Sequence, residues 1–554
     1  MADVKHMKWW GWGLEGVGFH HEDKPAFAPF VLNAVGLDLH AASRAEQIPF
    51  SSIDVPASRA SGALVAGIAA IVGEASVSTD DEMRVVHTYG KSIRDLMRIR
   101  GSLILRAVDV VAYPADEAEV VALVALAAEL GIVVIPFGGG SNIAGSLEPI
   151  PAEERPILSL DLGLLREVVS IDEGSGLAVI QAGAQGPDIE AQLNPRGWTI
   201  GHFPDSFTHS TVGGWVATRS SGMQSDVYGD IADIARGMRL VRSDGVTVIR
   251  ALPSTSTGPS VREMILGSEG RLGVITEVTV NVHRLPERRE IIGYLFPSWE
   301  NGIAAMHDIA ESDARPTVTR LSDARESGFS FATSKAKRGI DPQKILQRYL
   351  KARGWDLEGI NLSFIGYEGS AAHVKYEKKL VAKIVKRHGG MSVGRGPGIL
   401  YDQKKFDTPY LRDFLLDYGA AGDVSETAAP WSRLGELHDS VYAAANAAYA
   451  QIGLERGWIM SHLSHSYHSG ACLYFTFAFV AKEDMLAEYD VVKRAIQQAF
   501  IDHGGTLSHH HAVGLEHAPW LEQDISAGGV AIMRGLFAST DPTRMLNPGK
   551  ILAE

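Results

Sequence analysis

From residue 110 the run VVAY is apolar throughout and stops at Pro114, the pattern of a buried strand. Asp116 and Glu119 then have capping-box spacing, and Val120, Leu123, Ala127 and Leu130 follow as the apolar side of a helix that Gly131 closes. The β-branched run 132–135 comes next and opens into the glycine turn PFGGGSN at 136–142. The pattern predicts strand, helix and strand ending in a loop of the phosphate-holding type. Further strands are predicted over 157–160, 177–182, 238–241 and 274–282, so residues 103–285 read as α+β. Beyond Pro286, helical segments at 343–352 and 372–386 alternate with strands at 361–367 and 472–479. Residues 1–102 read as an arm and helices with a structural role, including a Ser/Ala-rich loop over 51–62. The predicted division is 1–102, 103–285, a substrate-covering domain over 286–520, and a terminal segment 521–554. Within the last, the turn-rich 541–550 is expected to dock back on the first domain.

Composition changes this picture little. A chain of 554 residues exceeds what one core supports, and 45% apolar with 21% charged residues is ordinary for a folded soluble protein. The net charge of −14 has the wrong sign for coating nucleic acid, so an anionic ligand requires local cations. Cys472, the single cysteine, excludes an internal disulfide, and neither a signal-like segment nor a membrane-length apolar run occurs. The expected location is cytoplasmic, with peripheral membrane contact open. Trp9, Trp10 and Trp12 would suit a lipid interface, but packing of the arm is the favoured reading. Residues 11–16 match the G-x-G-x-x-G spacing yet follow no strand, so no nicotinamide site is expected.

Consecutive glycines let backbone N–H groups approach a pyrophosphate without side chains between. Pro136, Phe137, Gly138, Gly139, Gly140, Ser141 and Asn142 form the first such loop. A second contains Asp205, Ser206, Ser210, Thr211, Gly213 and Gly214 and runs into Thr218, Arg219, Ser221 and Gly222. The third carries Glu269, Gly270, Gly273, Val274 and Ile275. In this order the three loops resemble the FAD-binding domain of the vanillyl-alcohol-oxidase superfamily, in which such loops wrap the cofactor. The resemblance implies FAD lined by all of these residues. It also implies an α+β fold: a PCMH-type two-subdomain FAD-binding domain, an α+β cap domain and a helical N-terminal region. No histidine or cysteine for a covalent tether is placed, so FAD is expected to be held non-covalently.

Three contiguous histidines, His509, His510 and His511, cannot easily close on one metal if the chain is extended, and acid/base work suits them better. A similar triplet, the arm KWWGWG and the run STVGGWVATRSSGM at 210–223 occur in alkylglycerone-phosphate synthases. The segments ETAAPWSR (426–433), GACLYF (470–475) and TRL (319–321) also resemble that family, in its order and over nearly the whole chain. The resemblance implies replacement of the acyl group of acyl-dihydroxyacetone phosphate by a fatty alcohol, with flavin as electron sink and no net redox. It assigns Tyr474 as acid/base group, His510 and His511 to proton handling, and His509 as support. Because phosphate favours guanidinium, Arg433 is the first choice to bind it, and Arg320 the second or a group at the flavin edge. A homodimer and contact with a membrane stay open as partners.

The rival is an FAD-dependent oxidoreductase acting on D-lactate, glycolate or a similar 2-hydroxy acid, since NPGK at 547–550 is shared with such enzymes. Their metal-binding histidines would fall on Tyr467 and Tyr474, and neutral tyrosine is a poor ligand. A non-catalytic flavoprotein is a second rival. No metal is expected, although His462, His465 and His468 have ligand-like spacing. The basic cluster Lys335, Lys337 and Arg338 reads as a solvated loop before a candidate lipid-facing mouth.

Overall fold

The computed structural model describes residues 3–334, 342–404 and 406–552, so the cluster Lys335, Lys337 and Arg338 lies outside the described residues. The predicted unit forms as strand Val110–Ala112, helix Glu117–Leu130 and strand Val133–Phe137. The Asp116 carboxylate accepts from the Glu119 N–H, and Glu119 reaches back to the N–H of Ala115 at 2.7 Å. Gly131 ends the helix in the left-handed region at φ 65°. Both strands pair in parallel with Ile157–Asp161, and parallel strands buried on both faces account for the unbroken apolar runs.

The terminal segment does return to this sheet. Leu546 bridges to Val134, and the Asn547 N–H donates to the Val134 carbonyl at 2.9 Å. An antiparallel five-stranded sheet, in the order Val168–Asp172, Leu177–Gln181, Val274–Asn281, Ala235–Arg242, Gly245–Ile249, shares one apolar core with it.

The remaining large sheet has seven antiparallel strands. Its order is Met391–Gly394, Arg288–Phe296, Asn361–Gly369, Val318–Ser322, Trp458–Ser466, Gly470–Val480, Ala420–Pro430. Residues of helices Trp299–Glu311, Ala371–Arg387, Leu434–Gln451 and Met485–Asp502 complete its core on one face. From Tyr474 the strand Gly470–Val480 alternates cleanly: Phe475, Phe477 and Phe479 are fully buried in that core, while Tyr474, Thr476 and Ala478 line a cavity. Each such phenylalanine contributes roughly 1.5–3 kcal/mol by burial, which pins the register that aims Tyr474.

The arm is packed, as the favoured reading of its tryptophans expects. Trp9 and Trp12 are buried, and the Trp12 N–H donates to Asp413 at 2.8 Å. The structural role expected for residues 1–102 is incomplete, however, because Trp12 and helix Phe27–Val35 also wall the cavity. Among the described residues, no helix is long and apolar enough to cross a membrane.

Candidate active site

Between the sheets lies a cavity of about 2080 Å³, counting its mouth. One end is built from the three glycine loops. Gly138 and Gly139 are there because the first two loops lie in direct contact: a Cβ on Gly138 would stand 2.4 Å from the Thr211 side-chain Oγ1, and one on Gly139 1.7 Å from the His209 carbonyl oxygen. From the first loop Pro136, Phe137, Gly138, Gly139, Gly140, Ser141 and Asn142 all line the cavity. From the second, Asp205, Ser206, Ser210, Thr211, Gly213, Gly214, Thr218 and Ser221 do so, and from the third Glu269, Gly270, Gly273 and Ile275.

Three predicted cofactor residues are not brought to this surface. Arg219 is turned outward to pair with Glu263 at 3.1 Å, Val274 is fully buried in the sheet core, and the Gly222 carbonyl accepts from His465 Nε2 at 3.0 Å. Conversely, Asn547 lines the cavity without having been anticipated. Its Nδ2 donates to the backbone oxygens of Ser146 and Glu269, leaving Oδ1 buried with no protein partner. Bare glycine backbone, a set of Ser and Thr hydroxyls and this orphaned acceptor fit a cofactor that carries a pyrophosphate, a polyhydroxyl chain and ring N–H groups.

The opposite end is apolar. Phe27, Val31 and Ala34 of the N-terminal helix line it together with Phe329, Leu411 and Leu415. At the seam stand Tyr474, His510 and His511, with Arg412 in the same lining.

Antiparallel pairing explains how these groups meet. Tyr474 sits opposite Glu426 on one side and His462 on the other. The Tyr474 ring stacks on His462 at 4.9 Å and on His510 at 6.0 Å, and meets His511 edge-on at 5.4 Å. The triplet is not extended, because Glu426 gathers the backbone N–H groups of His509, His510 and His511 at 2.7, 3.0 and 3.0 Å, with the Ser508 hydroxyl at 2.8 Å. That bend sends His510 and His511 to the cavity and His509 away from it, to Tyr467.

Burial would raise the Glu426 carboxyl, but the surrounding imidazoles and this fan of N–H donors outweigh it and hold the group well below the usual carboxylate range. Burial lowers His510 to about 3 and pushes His511 well below its ordinary value, so both stand neutral at physiological pH. Burial, reinforced by Asp205, raises the Tyr474 phenol well above its ordinary value.

Arg433 is not brought here. Its side chain is 58% exposed and pairs with Glu436 at 3.2 Å, because it precedes helix Leu434–Gln451 on the far face of the sheet. Arg320 lies in a smaller side pocket, shared with Tyr474, His510 and Tyr401, where it donates to Glu326 at 2.6 Å and approaches His462 at 3.2 Å. Arg412 was missed, since nothing around it in sequence distinguishes it from other helix arginines. Its guanidinium stands 3.7 Å from Asp423, and its Nε is buried without a protein partner.

The histidines spaced by three fall on a strand. A bulge after Leu463 brings His462 and His465 to the same side despite their odd separation, and His468 is exposed beyond the strand end. His465, Cys472, His509 and His510 each offer an atom within 4.8 Å of the others, as do His6, His87 and Asp161.

Comparison with known proteins agrees with this architecture. The family model of the FAD binding domain matches residues 108–250, and that of the C-terminal domain of FAD linked oxidases matches 285–551. The alkyldihydroxyacetonephosphate synthase of Dictyostelium discoideum is 38% identical over 478 residues, covering 85% of this chain and 78% of that protein. A solved alkyldihydroxyacetonephosphate synthase superposes with TM-score 0.86 at 33% identity, covering 98% of each chain. The mitochondrial D-lactate dehydrogenase of Arabidopsis thaliana is more distant, 22% identical over 80% of this chain and 73% of that one. With its glycine-loop cavity and its extended match to those synthases, the chain belongs to the alkyldihydroxyacetonephosphate synthase family of FAD enzymes.

Proposed function

We propose that this protein exchanges the acyl group of acyl-dihydroxyacetone phosphate for a long-chain fatty alcohol. FAD is assigned to the glycine-loop end of the cavity and the alkyl chain to the apolar end. The observation carrying this reading is the single continuous cavity, polar at one end and apolar at the other, with Tyr474, His510, His511 and Arg412 at the seam. Its lining supplies the two environments that the two occupants require, bare glycine backbone with hydroxyls at one end and aliphatic and aromatic side chains at the other.

FAD, when bound, supplies an electron sink, so the exchange leaves no net oxidation. The protein's groups handle protons and placement. A phenol raised so far is not a standing phenolate, so the imidazoles packed on Tyr474 take the proton that the substrate carbon first gives up, and Tyr474 returns one proton to that carbon and is reprotonated by those imidazoles. His510 and His511, neutral through burial, accept the proton that the alcohol loses as its oxygen bonds to carbon; the departing carboxylate needs none. Arg412 takes the phosphate in place of Arg433, being a guanidinium in the lining with an unpartnered Nε.

The test pairs two assays on the holoenzyme: acyl-dihydroxyacetone phosphate with labelled hexadecanol, and flavin reduction by D-lactate. Labelled ether in the first is the expected result, and turnover confined to the second overturns the proposal. The Gly139→Ala protein is expected to purify without flavin colour, since the new methyl would lie 1.7 Å from backbone oxygen.

Ala34→Trp would fill the apolar end. It is expected to raise KM for hexadecanol by about 30-fold, the loss of two or three buried methylenes, with little effect on short alcohols. Contact with lipid belongs to the same proposal: Leu32 and Phe331, each 39% exposed, flank that end on helices Phe27–Val35 and Ala324–Ala332. Vesicle sedimentation that falls after Leu32→Asp with Phe331→Asp checks it.

A further inference from the structure

His509 lies outside the cavity lining, yet the hydrogen bonds holding it determine what its neighbour can do. The chain begins at Asp230, the residue before helix Ile231–Ile234. Burial would raise its carboxyl, but the His465 and His509 imidazoles outweigh this and hold it at about 2, so it is ionised and can only accept. The Tyr467 hydroxyl, 3.0 Å from Asp230 Oδ2, therefore donates to it. The Tyr467 oxygen is also 2.5 Å from His509 Nε2 and, its one proton committed, must accept, so His509 carries hydrogen on Nε2. Where His509 carries that one hydrogen alone, its lone pair is on Nδ1. That nitrogen faces His510 Nδ1 at 2.9 Å, which must then be the donor. With its hydrogen on Nδ1, neutral His510 has its lone pair on Nε2.

We propose that Tyr467 and Asp230 are positioning residues that fix His510 in the tautomer whose unprotonated Nε2 accepts the proton of the fatty alcohol. This deepens the reading above and rests on it for the identity of the proton donor. The alcohol O–H proton passes to His510 Nε2 as the alcohol oxygen bonds to the substrate carbon. The resulting imidazolium keeps its Nδ1–H bond to His509 and faces Glu426 Oε2 at 3.7 Å from Nδ1. The charge can also spread by proton shifts along His509 and Tyr467 toward Asp230. This logic parallels the orienting acid behind a catalytic histidine. The other titratable or charged groups facing His510 are His465 and His462 from strand Trp458–Ser466, Tyr474 and Cys472 from strand Gly470–Val480, His511 beside it, and Asp205 and Arg320 across the side pocket.

The experiment compares wild-type, Tyr467→Phe and Asp230→Asn holoenzymes. Histidine ¹⁵N resonances, with His510 assigned by difference from His510→Gln, are expected to show a single tautomer in the wild type, hydrogen on Nδ1. Tyr467→Phe is expected to give mixed tautomers, and so is Asp230→Asn, because an amide can donate as well as accept. For the exchange, Tyr467→Phe is expected to lower kcat about 10- to 100-fold and move its acid limb, with flavin content, melting temperature and KM unchanged. His510 hydrogen on Nε2 in the wild type overturns the proposal, as does a tautomer unmoved by Tyr467→Phe. Stoichiometric zinc, copper or iron in the purified holoenzyme also overturns it, because a metal would occupy the nitrogens of His465, His509 and His510 with Cys472. The tautomer is read without turnover, so it tests this assignment even if the exchange itself is not found.

Discussion

Tyr474→Phe is expected to lower kcat for ether formation by about 10²- to 10⁴-fold while leaving flavin absorbance, KM and thermal stability near wild type. The separation follows from where the two parts of the side chain sit. The ring is held by stacking on His462 and His510 and by its place in the strand register, all of which phenylalanine keeps. Only the hydroxyl, which borders the cavity, is removed. If the phenol merely filled space, activity would persist. Rapid-quench assay of labelled hexadecanol incorporation, beside a flavin spectrum of the same sample, checks the outcome. Equal turnover by the two proteins would remove Tyr474 from the chemistry.

The second large effect is expected at Arg412. Arg412→Lys keeps a charge but loses the fork that grips two phosphate oxygens, and charge-assisted hydrogen bonds of that kind are worth about 1.5–3 kcal/mol. KM for acyl-dihydroxyacetone phosphate is therefore expected to rise by about 10- to 100-fold, with kcat little changed. The substitution does not strand Asp423, which also accepts from Tyr489 at 2.8 Å and Lys493 at 3.4 Å. Arg433→Lys serves as the contrast. Its guanidinium is exposed and paired with Glu436 at the surface, so no change in KM is expected. An effect at Arg433 and none at Arg412 would return the phosphate to the residue that the local sequence motif suggested.

The distance of Arg433 from the cavity has a physical cause. Strand Ala420–Pro430 delivers Glu426 beneath the histidines, but its last residues run past the site and turn into a surface helix, carrying Arg433 with them. Helix Thr408–Asp417 has no such motif and reads as an ordinary amphipathic segment, yet its packing against the cap sheet puts Arg412 into the lining. Strands Trp458–Ser466 and Ala420–Pro430 were equally illegible. Their polar residues are buried on partners from elsewhere in the chain, His462 on Glu326, His465 on the Gly222 carbonyl, Asp423 on Tyr489 and Glu426 on Ser508, which defeats an apolar pattern.

What the sequence determined by itself is local and short in range. The strand, helix and loop from Val110 to Asn142, the glycine loops that demand bare backbone, and the alternation that turns Tyr474 from Phe475 follow from backbone sterics and apolar period. Only the tertiary structure decided which distant groups converge. The bend that Glu426 imposes on the histidine run, the bulge that sides His465 with His462, and the wall that the N-terminal helix lends to the apolar end all depend on contacts between residues tens to hundreds of positions apart. Chain periodicity reports the environment of one element, whereas a site is set by the register and packing among several.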